Sequence, residues 1–203
     1  MEEDSEKVGQ KLAPFNPAND AVVETALRLL QLRPKDTFFD LGCGDGRLLI
    51  AAAERCGARA VGFEYDRRWV DAARKAAAAR GLLMSSDSDD APAVASSSPS
   101  PLHRHFPAMV TKPVEPPARG SVRVDHANVL DVSFDDATAI YAYLVPEGMR
   151  ALQERLLVAI RERGVRVVTY VFSLPGVTPA AVENFKGTKI YLYLPEGVAS
   201  PDP

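Results

Sequence analysis

Phe38-Phe39-Asp40-Leu41-Gly42-Cys43-Gly44-Asp45-Gly46-Arg47 is the stretch on which the fold turns. The run Thr37 to Leu41 is short, apolar and rich in β-formers, as a strand buried on both faces must be. Three glycines follow at alternate positions, and Arg47 to Arg55 then reads as a helix with Gly57 just past its end. Glycines between a strand and a helix let the chain turn sharply and let a ligand come close to the backbone. Their spacing is G-x-G-x-G, whereas the fingerprint that seats a pyrophosphate on a helix N-terminus is G-x-G-x-x-G. Asp40 stands at the end of the strand, just before Gly42. Glu64 ends the next predicted strand, Ala60 to Glu64, where a carboxylate can accept both hydroxyls of a ribose. The plainer readings of the same residues are a simple strand-to-helix turn and a surface carboxylate.

Working outward, a helix is expected from about Ala21 to Leu32, capped by Asn19 or Asp20 and broken by Arg33-Pro34-Lys35-Asp36. Asp66 can cap a further helix that runs through Val70 to Arg80 and stops at Gly81. Two strand-helix units in succession imply a parallel sheet. From 84 to 120 the chain turns rich in Ser, Pro and Asp, which predicts a disordered insertion. Strands Ser121 to Asp125 and Ala139 to Leu144 follow, then a helix from about Gly148 to Arg163 and a strand from Val165 to Phe172. The runs Ala181 to Phe185 and Lys189 to Leu194, joined by Lys186-Gly187-Thr188, signal a C-terminal antiparallel hairpin. The expected architecture is α/β and Rossmann-like. Its seven-stranded sheet is mostly parallel, with helices on both faces. Residues 1–13 are expected to form a flexible lead, and 14–203 one domain carrying the insertion 84–120.

Composition narrows the function classes. The formal net charge of -3 argues against non-specific nucleic-acid binding, which draws on a basic surface, so no nucleic-acid partner is expected. Two cysteines, Cys43 and Cys56, have neither CxxC spacing nor paired histidines, so no metal site is expected. His103 and His105 fall in the low-complexity segment, and His126 has no acid or nucleophile paired with it in the sequence. No apolar run approaches a membrane span, and an intracellular protein, monomeric or weakly dimeric, is the default.

The motif and the acid that follows it, FFDLGCGDGRLLIAAAERCGARAVGFEYD, resemble motif I and the acidic second strand end of the class I S-adenosylmethionine-dependent methyltransferases. The wider stretch PFNPANDAVVETALRLLQLRPKDTFFDLGCGDGR is similar to the ATP synthase c-subunit lysine methyltransferase group and its bacterial relatives, although Lys35 stands where that group has a turn glycine. ATAIYAYLVPEGMRALQERL, GVRVVTYVFSLPG and TKIYLYL resemble the later strands of the group. The resemblance implies S-adenosyl-L-methionine as cofactor and a protein or small-molecule methyl acceptor, with protein lysine the leading candidate. It implies that Asp40 helps hold the methionine end, that Gly42, Cys43, Gly44 and Gly46 form the loop beside it, and that Glu64 binds the ribose. By the same likeness Phe15, Asn16 and Pro17 fold over the cofactor. Asn128 takes the place of the usual acidic adenine partner, and its amide oxygen can accept as well, unless it is a turn residue.

Several side chains carry two readings. Phe63 or Tyr65 packs on the adenine, or belongs to the core. Tyr143, at the end of the fourth strand, is the candidate for lining the acceptor site, with Tyr141 on the same face and as readily a core residue. Glu147 orients an amine, or simply favours the positive end of a helix. The N/D-P-P-Y/F motif of enzymes acting on adenine or glutamine amides is missing from Tyr143-Leu144-Val145-Pro146. A lysine must be neutral to attack, and an apolar site near Tyr143 and Phe172 would lower its pKa. The insertion joins a helix to the start of a strand, so it is expected away from the site and not to act as a lid.

Overall fold

The computed structural model describes residues 19–84, 119–185 and 187–195. The expectations for residues 1–13, for Phe15, Asn16 and Pro17, and for nearly all of the 84–120 segment therefore lie outside the described residues.

Seven strands form one sheet in the order β3-β2-β1-β4-β5-β7-β6. They are β1 (Thr37–Leu41), β2 (Arg59–Glu64), β3 (Ser121–His126), β4 (Ala139–Ala142), β5 (Arg166–Tyr170), β6 (Ala181–Phe185) and β7 (Thr188–Tyr193). The first five run parallel; β7 pairs antiparallel with both β5 and β6. This is the parallel sheet with a closing hairpin that the sequence implies. The helices described are α1 (Asp20–Leu30), α2 (Arg47–Cys56), α3 (Arg67–Ala78) and α4 (Pro146–Arg163).

Side-chain alternation sorts the core into two layers. Phe38, Ala60, Val124, Ala139 and Val168 turn toward α1, α2 and α3. Phe39, Val61, Ile140 and Val167 turn to the other face, covered by α4 and by Val129, Phe134 and Ala137 of the loop after β3. Two helices, α1 and α3, start at a side chain that satisfies a free N–H donor. The Asn19 side chain accepts from Val22 N–H at 3.0 Å, and the Asp66 side chain accepts from Arg68 N–H. Pro146 opens α4 two residues before the expected Gly148, since a residue with no N–H loses nothing in a first turn.

β1 ends at Leu41, as the sequence reading has it, with Asp40 one residue inside the strand. Two other strands end earlier than that reading. β4 stops at Ala142, leaving Tyr143 just beyond it. β5 stops at Tyr170, because Val171 takes φ +70°, a left-handed conformation that no strand accommodates and that costs energy for a β-branched residue.

The start of the sheet is tied separately. Asp36 is buried, accepts from the Thr138 hydroxyl at 2.8 Å and pairs with Arg166 at 2.6 Å. Burial alone would push its carboxyl up, but those partners hold it below the usual range. Beside this end of the sheet, Leu83 bridges Val122, Met84 N–H donates to Val122 O, and Gly120 N–H donates to Ala53 O. The described chain thus breaks off after residue 84 and resumes at 119 at the N-terminal end of β3.

Candidate active site

The opposite end of the sheet, where the parallel strands finish, is where open α/β folds bind ligands. Here the β1–α2 loop is fastened to β2. Gly42 N–H and Cys43 N–H both donate to Phe63 O, at 2.9 and 3.1 Å. Gly46, with φ +76°, ends the loop against α3; a Cβ on it would lie 2.9 Å from the Ala73 Cβ. Glu64 is buried and spans two backbone segments. One carboxylate oxygen accepts from Gly44 N–H at 3.0 Å and the other from Asp66 N–H at 2.9 Å.

Asp40 lies beside Gly62 of β2 and Tyr141 of β4 in the register of the sheet. It is 3% exposed, and no described residue donates a hydrogen bond to its carboxylate. Burial, reinforced by the negative charges of Glu64 and Asp45, pushes that carboxyl up to about 8. Asp45 is different: burial raises it, but Arg47, paired at 2.6 Å, more than offsets that and holds it low. The loop is therefore ringed by three acids, of which only Asp45 has a cationic partner among the described residues. Such an arrangement attracts positive charge and repels a pyrophosphate.

Cys43 contributes backbone only. Its thiol is buried in the core, and burial followed by the charges of Asp40 and Glu64 drives its pKa up, which makes it a poor nucleophile. Phe63 belongs to the core, edge-on to Phe39 at 5.1 Å, which leaves the partly exposed Tyr65 as the aromatic open to a ligand next to Glu64. The Tyr65 carbonyl accepts from His126 Nε2 at 2.8 Å. Asn128 forms a turn: its side-chain oxygen accepts from Leu130 N–H at 3.1 Å and its carbonyl from Asp131 N–H. The loop behind it is pinned by Arg155 of α4, which donates to Leu130 O at 2.6 Å, also to Val132 O, and lies 4.5 Å over the Phe134 ring.

Toward β4 and β5, Tyr143 stands half-buried against Tyr170, ring centroids 5.0 Å apart and tilted by 60°. Tyr170, not Phe172, is the ring beside Tyr143; Phe172 packs with the layer on the other face of the sheet. Glu147 projects from the first turn of α4, largely exposed, and pairs with Arg150 at 3.2 Å. The structure thus brings Asp40, Gly42, Gly44, Gly46 and Glu64 together, with Tyr143 at the same end of the sheet, and leaves Glu147 on the surface. Asp45, Tyr170 and Arg155 escaped the sequence reading. Only Asp45 carried a sequence cue, as the acid between two motif glycines. Among the described residues there is no cluster of His, Cys, Asp or Glu able to hold a metal, and no helix long and apolar enough to cross a membrane.

Comparison with known proteins agrees with this geometry. A family model described as a methyltransferase domain matches residues 38–100. A protein-lysine N-methyltransferase of Saccharolobus islandicus is 23% identical over 89% of this chain and 92% of its own length. The ATP synthase c-subunit lysine N-methyltransferase of Rattus norvegicus is 27% identical over 82% of this chain, which spans only 59% of that relative. Among solved structures, an RNA methyltransferase from Salinibacter ruber in complex with S-adenosyl-L-homocysteine is 25% identical, with a TM-score of 0.65. That match covers 93% of this chain and all of the other.

Proposed function

The chain is a class I S-adenosylmethionine-dependent methyltransferase, and on that footing we propose that it methylates the side-chain amine of a lysine in a protein. The observation that carries the reading is the buried Asp40 beside the glycine loop, with no cationic partner among the described residues, and the Tyr143–Tyr170 pair at the same end of the sheet.

The described residues fit the cofactor. A carboxylate that is buried with no donor has a natural partner in the ammonium group of a methionyl moiety. Glu64 already has both oxygens oriented by Gly44 and Asp66 N–H groups, and each oxygen retains a lone pair for a ribose hydroxyl. Asp40 holds the amino-acid end, Gly42 to Gly46 underlie it, and Glu64 takes the ribose. Tyr65 covers one face of the adenine and Asn128 turns the chain at its edge.

When bound, the cofactor supplies an electrophilic methyl group on a sulfonium. Held by Asp40, the glycine loop and Glu64, it would give that methyl to a neutral amine, sulfur keeping the C–S electron pair, and the proton left on nitrogen would pass to bulk water as the product leaves. No strong base is needed; the protein aligns donor and acceptor and excludes water. Tyr143 and Tyr170 do this for the acceptor. Their rings strip water from the amine, favouring its neutral form, and their faces then stabilise the charged methylammonium product. Glu147, outside this enclosure, steers basic protein segments toward it.

The test is transfer of a tritiated methyl group from S-adenosylmethionine into a fractionated lysate, followed by identification of the labelled atom. Label on lysine nitrogen in protein supports the reading. The likeness to an RNA methyltransferase favours the competing acceptor, and label confined to RNA would replace lysine with a nucleotide. No heat on titrating the cofactor or S-adenosylhomocysteine into folded protein would remove the cofactor site altogether.

A further inference from the structure

Tyr141 is a core residue by burial, yet its hydroxyl is not treated as one. The side chain is 4% exposed, and its oxygen is buried without a hydrogen-bond partner among the described residues. A phenylalanine would fill the same space without stranding a polar atom, so a hydroxyl kept here needs a partner that arrives later. Its surroundings say what kind. Tyr141 stands opposite Asp40 in the β1–β4 register, so the two side chains leave adjacent strands on the same face of the sheet. Burial, and next the charge of Asp40, keep the phenol protonated, so it can both donate and accept. Tyr143 and Tyr170 lie further along the same layer and are the more exposed pair. The Tyr141 hydroxyl thus belongs to the Asp40 side of the site and not to the acceptor side.

We propose that the Tyr141 hydroxyl and the Asp40 carboxylate form a two-point grip on the α-ammonium group of the bound cofactor. The phenol oxygen accepts one N–H and the carboxylate another, so the orphaned atom is satisfied only in the complex. The proposal rests on the cofactor site described above.

Tyr141→Phe in the full chain tests it by calorimetry with two probes, S-adenosylhomocysteine and 5′-methylthioadenosine. The second lacks the amino-acid end. The Kd for S-adenosylhomocysteine should rise about tenfold, the order of one hydrogen bond to a charged group. The Kd for methylthioadenosine should not move, and the unfolding temperature of the ligand-free protein should hold or rise. Equal weakening of both probes would make Tyr141 a structural residue and overturn the grip, as would no change in either. Tyr143→Ala, which removes the ring, serves as the contrast, raising the acceptor KM while leaving the S-adenosylhomocysteine Kd in place. If the unaltered protein binds neither probe, the cofactor site itself is wrong and the grip falls with it; if it binds both and Tyr141→Phe is silent, only the grip falls.

Discussion

Asp40→Asn separates what the fold needs from what the ligand needs. The Asp40 carboxyl has its pKa raised from 3.8 to about 8 in the folded chain. The native state therefore holds a proton that the unfolded chain has released, throughout the window from about 4 to about 8. Stability contributed by that protonated acid is complete below the lower value and is lost as pH rises toward the upper one, by ~1.4 kcal/mol per pH unit. Asparagine is neutral at every pH and has no such slope. Between pH 5.5 and 7.5 the substituted protein should accordingly gain on the original by roughly 2.7 kcal/mol. For a domain of this size that is about 5–10 °C in Tm. The measurement is thermal unfolding of both ligand-free proteins across pH 5 to 9, where the gap should widen up to about pH 8 and then stay flat. S-adenosylmethionine should protect the original protein and fail to protect the variant. A gap independent of pH would refute the reasoning, because it would mean that Asp40 is already ionised and compensated in the native state.

Gly62→Ala would place a Cβ 2.4 Å from Leu49 Cδ1 and 2.6 Å from Cys43 Sγ. It should destabilise the fold by about 1–3 kcal/mol and weaken cofactor binding, because the yielding partner is the glycine loop; denaturant unfolding and calorimetry check both. Arg155→Met removes the donors to Leu130 O and Val132 O and should cost about 2 kcal/mol. Adenosine binding should weaken in that variant, since the loop it releases carries Asn128. Arg166→Met strips Asp36 of its cation and should cost about 3 kcal/mol in urea unfolding near neutral pH. Because the Asp36 carboxyl is held low, the stability it brings is present above its ordinary value and lost as pH falls through the folded one. The loss in Arg166→Met should therefore shrink in acid, with cofactor affinity untouched at the far end of the sheet.

Much of the fold was readable because it rests on local rules. Strand Thr37–Leu41, the glycine turn and the helix that begins at Arg47 follow from an apolar run, three small residues and a 3.6-residue period. The carboxylates at Asp40 and Glu64 were legible for the same reason: each is fixed by its position at or next to a strand end. The rest depends on pairings between distant strands. Whether Tyr143 meets Tyr170 or Phe172 depends on the β4–β5 register and on where β5 ends. That end is set by a left-handed Val171, a conformation that β-branched residues disfavour and that no local pattern announces. Arg155 looks like any solvated charge on a long helix, and only the fold shows the carbonyls it meets. Tyr141 has the same sequence signature whether its hydroxyl is satisfied or orphaned.

The tethers at Leu83, Met84 and Gly120 have a practical corollary. They clamp both margins of the 85–118 stretch to the beginning of a strand whose far end carries His126 and the approach to Glu64. Changing the length of chain between those clamps should alter loop-closure entropy only logarithmically. Among the described residues the sheet thus sets these tethers at one end and the carboxylates of Asp40 and Glu64 toward the other. A dye or tag placed between the clamps should leave the S-adenosylhomocysteine Kd within a few-fold of the original, which calorimetry checks.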